Sequence, residues 1–549
     1  MKVHLLYRDR NFDFAAGLPP GHQDLIQDLE LPTLLRAMAA ADKFRYEVSE
    51  KVLLIGLREP EAIRYRQQIL ADCLASPSVI REMYAIASSA LNDGRHLWNV
   101  YGTDYQTPSS TLYGAVAHLE GNTVRLRQLR KLADDHARDF HSAGMTALFA
   151  SLQRELDDAY LTEVTSRLKE LRFRSGVLIS AQLDRDNSGT GFTLRASGDG
   201  RRQWKERLGI GPHASHSFTL DPRDNAGAEI LSDLTSRGLN LVANAAAQSA
   251  DHLGAFFTVL RAELGFYVSC LDLADDLAAK GAPVTVPDPV NASSLTFSCT
   301  DLRDACLELQ SPAPAVGNDV SADGKAAVII TGANSGGKST FLRSVGLAQL
   351  MMQCGLFVTA ASYTSDVATG IFTHFARDED SGMTSGRLDD ELRRMSVVAS
   401  RLGPGGLVLF NESFAGTNER EGSEIGYQIV RALLDSQVRV FFVTHRYDFA
   451  ERFRRSHAAE TLFLRAERLA AGQRNYKLAV GPPLPTSFGE DLYYQVGGWL
   501  DEDQPPAHRP RSASGGPQLS ARPSMTSASR GSPSSASVPG TNRSRAGTA

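Results

Sequence analysis

The sequence predicts a two-part architecture, a mostly α-helical first half followed by an α/β second half in which strands and helices alternate around a parallel sheet. Three observations carry it. Apolar residues recur at three-four spacing through most of residues 1–280. From about residue 290, short apolar β-like runs alternate with amphipathic segments. At the first of these alternations, VIITGANSGGKSTFLRSV (Val328–Val345), an apolar run breaks into a glycine-rich turn ending in Lys-Ser-Thr, after which helical spacing resumes.

Residues 1–108 read as a helical core domain, with LPTLLRAMAAADKFRYEVSEKVLL and PEAIRYRQQILADCLASPSVIREMYAIASSAL as its amphipathic stretches. Residues 109–286 read as long lever helices. Proline is absent from 109–174, periodicity fails near 177–224 in what reads as a β-like insertion, and one long helical segment follows from Glu229 to Lys280. Residues 287–500 form the α/β part, where the unbroken apolar runs of GLVLF and VRVFFV suit strands covered on both faces. Residues 501–549, rich in Ser, Pro and Arg, read as a disordered tail.

Composition narrows the function classes. The 549 residues are 42% hydrophobic and 22% charged, as in ordinary globular proteins. The net charge is -5; the segment after Asp503 holds six arginines and no acid, and removing it leaves -11, so the body is not a nucleic-acid binder by overall charge. Five scattered cysteines lack zinc-ligand spacing. The N-terminus lacks a signal-peptide core and no apolar run approaches the length of a membrane span, so a cytoplasmic protein without membrane contact is expected.

Gly332, four intervening residues, Gly337, Lys338 and Ser339 fit G-x-x-x-x-G-K-[ST], between a strand-like run and a helix. Glycines let successive N–H groups turn inward around a polyphosphate; Lys338 then reaches the β- and γ-phosphates, Ser339 reaches Mg²⁺, and the helix N-terminus adds partial positive charge. Downstream, the apolar strand at Leu407–Phe410 ends in Asn411 and Glu412. That is the place for a metal-binding and water-activating pair, with a neutral Asn411 where a carboxylate is usual and Glu412 as the candidate base. Thr444 and His445 end a further apolar strand, and this order puts all three strand ends on one carboxyl edge.

These residues carry a resemblance. GANSGGKST (Gly332–Thr340) resembles the G-P-N-M-G-G-K-S-T loop of the MutS family of DNA mismatch-repair ATPases. VLFNESFAGTNEREGSEI (Val408–Ile425) resembles its L-M-D-E-x-G-R-G-T segment, and VTHRYDFA its A-T-H-Y segment. GIFTHFARDED and VGND (Val316–Asp319) resemble its I-F-T-R and P-N-D stretches, and Glu263–Gly281 resembles its lever helices. The resemblance implies an ABC/MutS-like P-loop NTPase domain behind a helical core and lever, using ATP and Mg²⁺. It assigns nucleotide contact to Gly332, Asn334, Gly336, Gly337, Lys338, Ser339, Thr340 and Asn318, metal binding to Ser339, Asn411 and Glu412, water activation to Glu412 and γ-phosphate sensing to His445. It further implies a homodimer acting on DNA or with a repair-protein partner.

Two departures temper it. In the signature segment Ser381–Leu392, Ser385, Gly386 and Arg387 match the family's S-G-R, while Leu388 and Asp389 replace its Ser-Thr. No F-x-E aromatic wedge precedes the helical region, so direct mismatch sensing is not expected. Basic residues in Arg125–Arg138 and in SRLKELRFR are the arm's candidates for DNA contact, against the reading of a solvated helix face. A nucleotide-driven switch acting on proteins, and an ATPase without turnover, are the competing readings.

Overall fold

Helix boundaries follow local chemistry. In the computed structural model, which describes residues 1–485 except 101–106, 175, 187, 196–218, 293, 378–385 and 468–473, several helices start on a side-chain oxygen that accepts from the first turn. Asp42 caps α3 (Lys43–Ile55), Thr107 caps α6 (Pro108–His136), Ser142 caps α7 (Ala143–Glu155) and Asp157 caps α8 (Asp158–Glu170). The helical part also contains α1 (His22–Asp28), α2 (Leu31–Ala39), α4 (Pro60–Ala75) and α5 (Pro77–Val100). The tail at 501–549 lies outside the described residues.

The expected β-like insertion is an antiparallel hairpin of β1 (Leu178–Leu183) and β2 (Gly189–Arg195). The helix after it, α9 (Asn225–Ala279), runs 55 residues without a break, capped by Asp224. Its two halves differ. From Ala262 to Leu271 every residue is buried, whereas Ile230, Leu231 and Leu241 are exposed and the inward residues of that half are Gly238, Leu239, Ala243, Ala246 and Ala250, the last four packing against α6 and α8. This helix corrects one expectation, since it is long and apolar enough to cross a membrane. Two thirds of its apolar window is nevertheless buried inside the protein, as in a core helix.

The α/β part holds two sheets. The larger has the order β12–β11–β6–β10–β9–β8, made of β6 (Ala327–Gly332), β8 (Ile371–Phe375), β9 (Leu407–Asn411), β10 (Arg439–Val443), β11 (Thr461–Ala466) and β12 (Leu478–Val480). Its pairs are parallel except β11–β12. The three strands the sequence singled out, β6, β9 and β10, are all there. The smaller sheet, of order β3–β7–β4–β5, comprises β3 (Asp288–Val290), β4 (Phe297–Leu302), β5 (Asn318–Ser321) and β7 (Ser362–Asp366), and sequence pattern did not reveal it. Short helix α10 (Ala305–Gln310) follows β4; α11 (Lys338–Gln353), α12 (Arg387–Ala399), α13 (Glu419–Asp435) and α14 (Tyr447–Ser456) complete the set.

Buried Arg439, 5% exposed, locks the two sheets together. Its five N–H groups donate to Lys325 O, Thr296 O, Leu295 O, Ala322 O and Asp366 Oδ1, the last at 2.7 Å. A single hydrophobic core runs from Leu5 through α2–α4 and the root of α9 to Leu347 and Met351 of α11, so the helical part and the nucleotide-site helix pack as one body.

Candidate nucleotide-binding site

The strand order sets β10 between β6 and β9, with Val443 level with Asn411 on one side and Ile330 on the other. The carboxyl ends bearing Gly332, Asn411 and Thr444 therefore share one edge, as the order of motifs in the sequence requires.

The loop between β6 and α11 has little room for side chains. Gly332 has φ 105°, and a Cβ there would come within 2.8 Å of Ala466 N. A Cβ on Gly336 would meet Ala466 Cβ at 2.6 Å and Ala333 O at 2.9 Å, while Gly337 has φ 84°. Lys338 turns back over this loop, donating to Gly332 O (3.1 Å) and Ala333 O (2.9 Å). It is only 5% exposed, and burial pulls its ammonium down to about 8, partly opposed by the charge of Glu412. A buried cation with only carbonyls as partners is a receptor for an anion. Asn334 Oδ1 is likewise buried with no hydrogen-bond partner, and Arg474 Nε donates to Asn334 O.

Ser339 Oγ donates to Asn411 Oδ1 at 2.8 Å, joining the loop to the end of β9. Two neutral oxygens suit Mg²⁺ that keeps waters and takes its other ligands from phosphates. Among the described residues no cluster of His, Cys, Asp and Glu forms a separate metal site. The donor set thus fits a nucleotide-borne cation.

Glu412 and His445, given separate tasks by sequence, are a pair. His445 Nε2 is 2.9 Å from Glu412 Oε1, and its backbone N–H donates to Oε2 at 3.2 Å. Glu412 has φ 52°, a left-handed backbone that places its carboxylate at the edge. Thr340 lines a cavity of about 190 Å³ with Asn318, Gly337 and Tyr476. Asn318 uses both ends of its amide on the neighbouring backbone, donating to Tyr476 O and accepting from Leu478 N, so it places Tyr476 against Gly337. Ser385 of the signature segment lies outside the described residues; Gly386 and Arg387 open α12.

Two further residues hold the site. Arg446 donates to the carbonyls of Phe414, Thr417, Asn418 and Glu419, fixing the turn after Glu412. His374 on β8 bonds Ser413 Oγ. The Arg directly after Thr-His was a readable signal for the first; nothing short of tertiary contact marks the second. The arm's basic residues are mostly engaged internally. Arg127 donates to Leu161 O and Thr165, Arg130 to Asp134, Gln153 O and Leu156 O, and Arg172 pairs with Glu120; Lys131 and Arg138 are exposed.

Comparison with known proteins fits this arrangement. The family profile described as MutS domain V matches residues 328–489, and that of the MutS2 N-terminal domain matches residues 58–280. MutS domain V is a P-loop ATPase-type domain, which defines the class: a mixed helix and sheet protein with such a domain at its C-terminal side. DNA mismatch repair protein MutS of Porphyromonas gingivalis is 31% identical over 215 residues, 36% of this chain and 24% of that protein. MutS protein homolog 4 of Mus musculus is 33% identical over 132 residues, 24% of this chain and 14% of that protein. DNA mismatch repair protein MutS of a Thermotoga species is 38% identical over 138 residues, 25% of this chain and 17% of that protein. The chain belongs to the MutS family. Its matched stretches span about a quarter or less of the length of these relatives.

Proposed function

We propose that this protein binds and hydrolyses ATP, works as a homodimer, and couples nucleotide state to its helical arm in a DNA repair or recombination role. The observation that carries the reading is the convergence of Lys338, Ser339–Asn411 and Glu412–His445 on one sheet edge. Lys338 exchanges the carbonyls of Gly332 and Ala333 for phosphate oxygens, regaining the charge that burial disfavours. Ser339 and Asn411 hold Mg²⁺, whose contribution is to neutralise phosphate charge. Glu412 keeps lone pairs beyond those that His445 occupies, and through them it takes the proton of the attacking water. His445 holds that carboxylate in place.

The test is ATP turnover by the wild-type chain and by Glu412→Gln. Loss of a general base predicts a fall in kcat of about 10²-fold or more with ATP still bound; equal rates would remove Glu412 from the reaction. DNA contact is tested by binding to duplex, branched and single-stranded DNA over a salt series, where affinity falls steeply as counterions are released. The internal pairing of Arg127, Arg130 and Arg172 favours a second reading, a switch that acts on proteins. ATP-dependent binding that is indifferent to DNA at every salt concentration would select it.

A further inference from the structure

His374 is fully buried and touches three elements at once. It lies on β8 opposite Phe410 of β9. Its Nε2 is 2.9 Å from the backbone carbonyl of Glu391 on α12, and its Nδ1 is 2.8 Å from Ser413 Oγ. A carbonyl only accepts, so Nε2 carries a proton. Burial pushes the imidazole down to about 4, and the single hydroxyl proton of Ser413 is shared between Nδ1 and the backbone carbonyl of His374, so Ser413 is tied to both the ring and the backbone of that residue. One face of the ring stacks on Phe414, with centroids 5.3 Å apart and planes at 22°.

The residues it holds are those that aim Glu412. Ser413 follows Glu412 directly, and both Glu412 (φ 52°) and Phe414 (φ 63°) are in left-handed backbone, a conformation kept only where surroundings enforce it. The same turn meets α12 a second time: a Cβ on Gly416 would lie 2.7 Å from Leu388 N. On the α12 side, Glu391 has a carboxylate buried without a hydrogen-bond partner, 3.5 Å from Arg387. Among the described residues, the contact between α12 and the turn is made by the Glu391 carboxylate facing the Phe414 backbone and by His374, which hydrogen-bonds the Glu391 carbonyl and Ser413.

We propose that His374 is a positioning residue, a strut that transmits the setting of α12 to the turn carrying Glu412, so that hydrolysis depends on where α12 sits. The proposal rests on the reading of Glu412 as the water-activating base. His374 touches no nucleotide; it acts through Ser413 and Phe414.

The test uses the full chain with His374→Phe, which keeps the aromatic stack and removes both hydrogen bonds, and Ser413→Ala, which removes one of them from the other side. Both variants should lower kcat for ATP at least tenfold, with ATP affinity and KM within about twofold of wild type. Hydrogen exchange, measured with and without a non-hydrolysable ATP analogue, supplies a readout that does not need turnover. In wild type the analogue should change protection both at 332–340 and at 387–399; in His374→Phe the change at 387–399 should be lost while that at 332–340 persists. Wild-type kcat in both variants, a fall in affinity matching the fall in kcat, or a nucleotide effect on 387–399 that is absent from wild type or survives in His374→Phe would overturn the proposal. If the wild type binds ATP without turnover, the reading of Glu412 fails by itself, and the exchange comparison still decides whether His374 links the two segments.

Discussion

The two edges of the large sheet each bury a cation, and they use it in opposite ways. At the amino edge, Arg439 satisfies all five N–H groups on four carbonyls and the carboxylate of Asp366. At the carboxyl edge, Lys338 has only the two carbonyls of its own loop. The first is a finished network that closes the seam between two sheets. The second leaves a desolvated charge short of partners, and a protein tolerates that cost where a ligand completes the set. The contrast teaches that burial of a charge marks structure or function according to how fully it is bonded.

Removing the finished cation should have the largest effect. Arg439→Ala leaves Asp366 and four carbonyls without their donor, and loss of one partner of a buried pair costs about 3–5 kcal/mol. Thermal or urea unfolding should show a large loss of stability, with ATP affinity of the folded fraction retained. A small loss would dissolve the contrast.

Lys338→Met should do the reverse, abolishing ATP binding while stabilising the free protein. Because burial lowers the folded-state pKa from 10.5 to about 8, the folded state prefers the neutral amine. The stability lost to that charge is recovered only above about pH 10.5 and is fully lost below about pH 8. Lys338→Met should therefore raise the unfolding midpoint at pH 7, and the difference should vanish at high pH. A destabilised variant at pH 7 would show that the loop carbonyls already satisfy the ammonium.

ATP binding sharpens the same point with a smaller effect. Phosphate favours charged Lys338, so binding above pH 8 takes up a proton, and affinity should fall by up to about tenfold per pH unit there. Calorimetry in buffers of different ionisation enthalpy measures the uptake; pH-independent affinity between pH 8 and 9.5 would mean that Lys338 is already charged without ligand. The smallest change expected is in Asn411→Asp, which places a negative charge beside Ser339 Oγ. The Mg²⁺ concentration for half-maximal ATP binding should drop several-fold, and an unchanged requirement would take position 411 out of the cation's surroundings.

Strands β6, β9 and β10 were legible because both neighbours of each are parallel and their residues are buried, so AVIIT, LVLF and VRVFFV announce themselves by composition. The loop was legible because its glycines answer a backbone requirement that few other residues meet. The smaller sheet was hidden for the converse reason: β7 reads Ser-Tyr-Thr-Ser-Asp, and its pairing with β3 and β4 spans more than sixty residues of chain. The Glu412–His445 pair and the roles of Arg446 and His374 depend on where turns bring side chains, which no local spacing records. One internal clue went unread. Glu263 is the lone acid in the apolar run of α9, and it accepts from the backbone N–H groups of Leu5, Leu6 and Phe12, tying the N-terminal segment to the root of that helix.

An unbroken helix of 55 residues is about 80 Å long at 1.5 Å per residue. Its root shares a core with the helix that begins at Lys338, and its far half is free on most of its circumference. Geometry then acts as a gear. A tilt of about 5° at the root displaces the far end by about 7 Å on that length, more than one helical turn, so a rearrangement too small to disturb the packing around α11 is read out at the tip as a step large enough to make or break a contact.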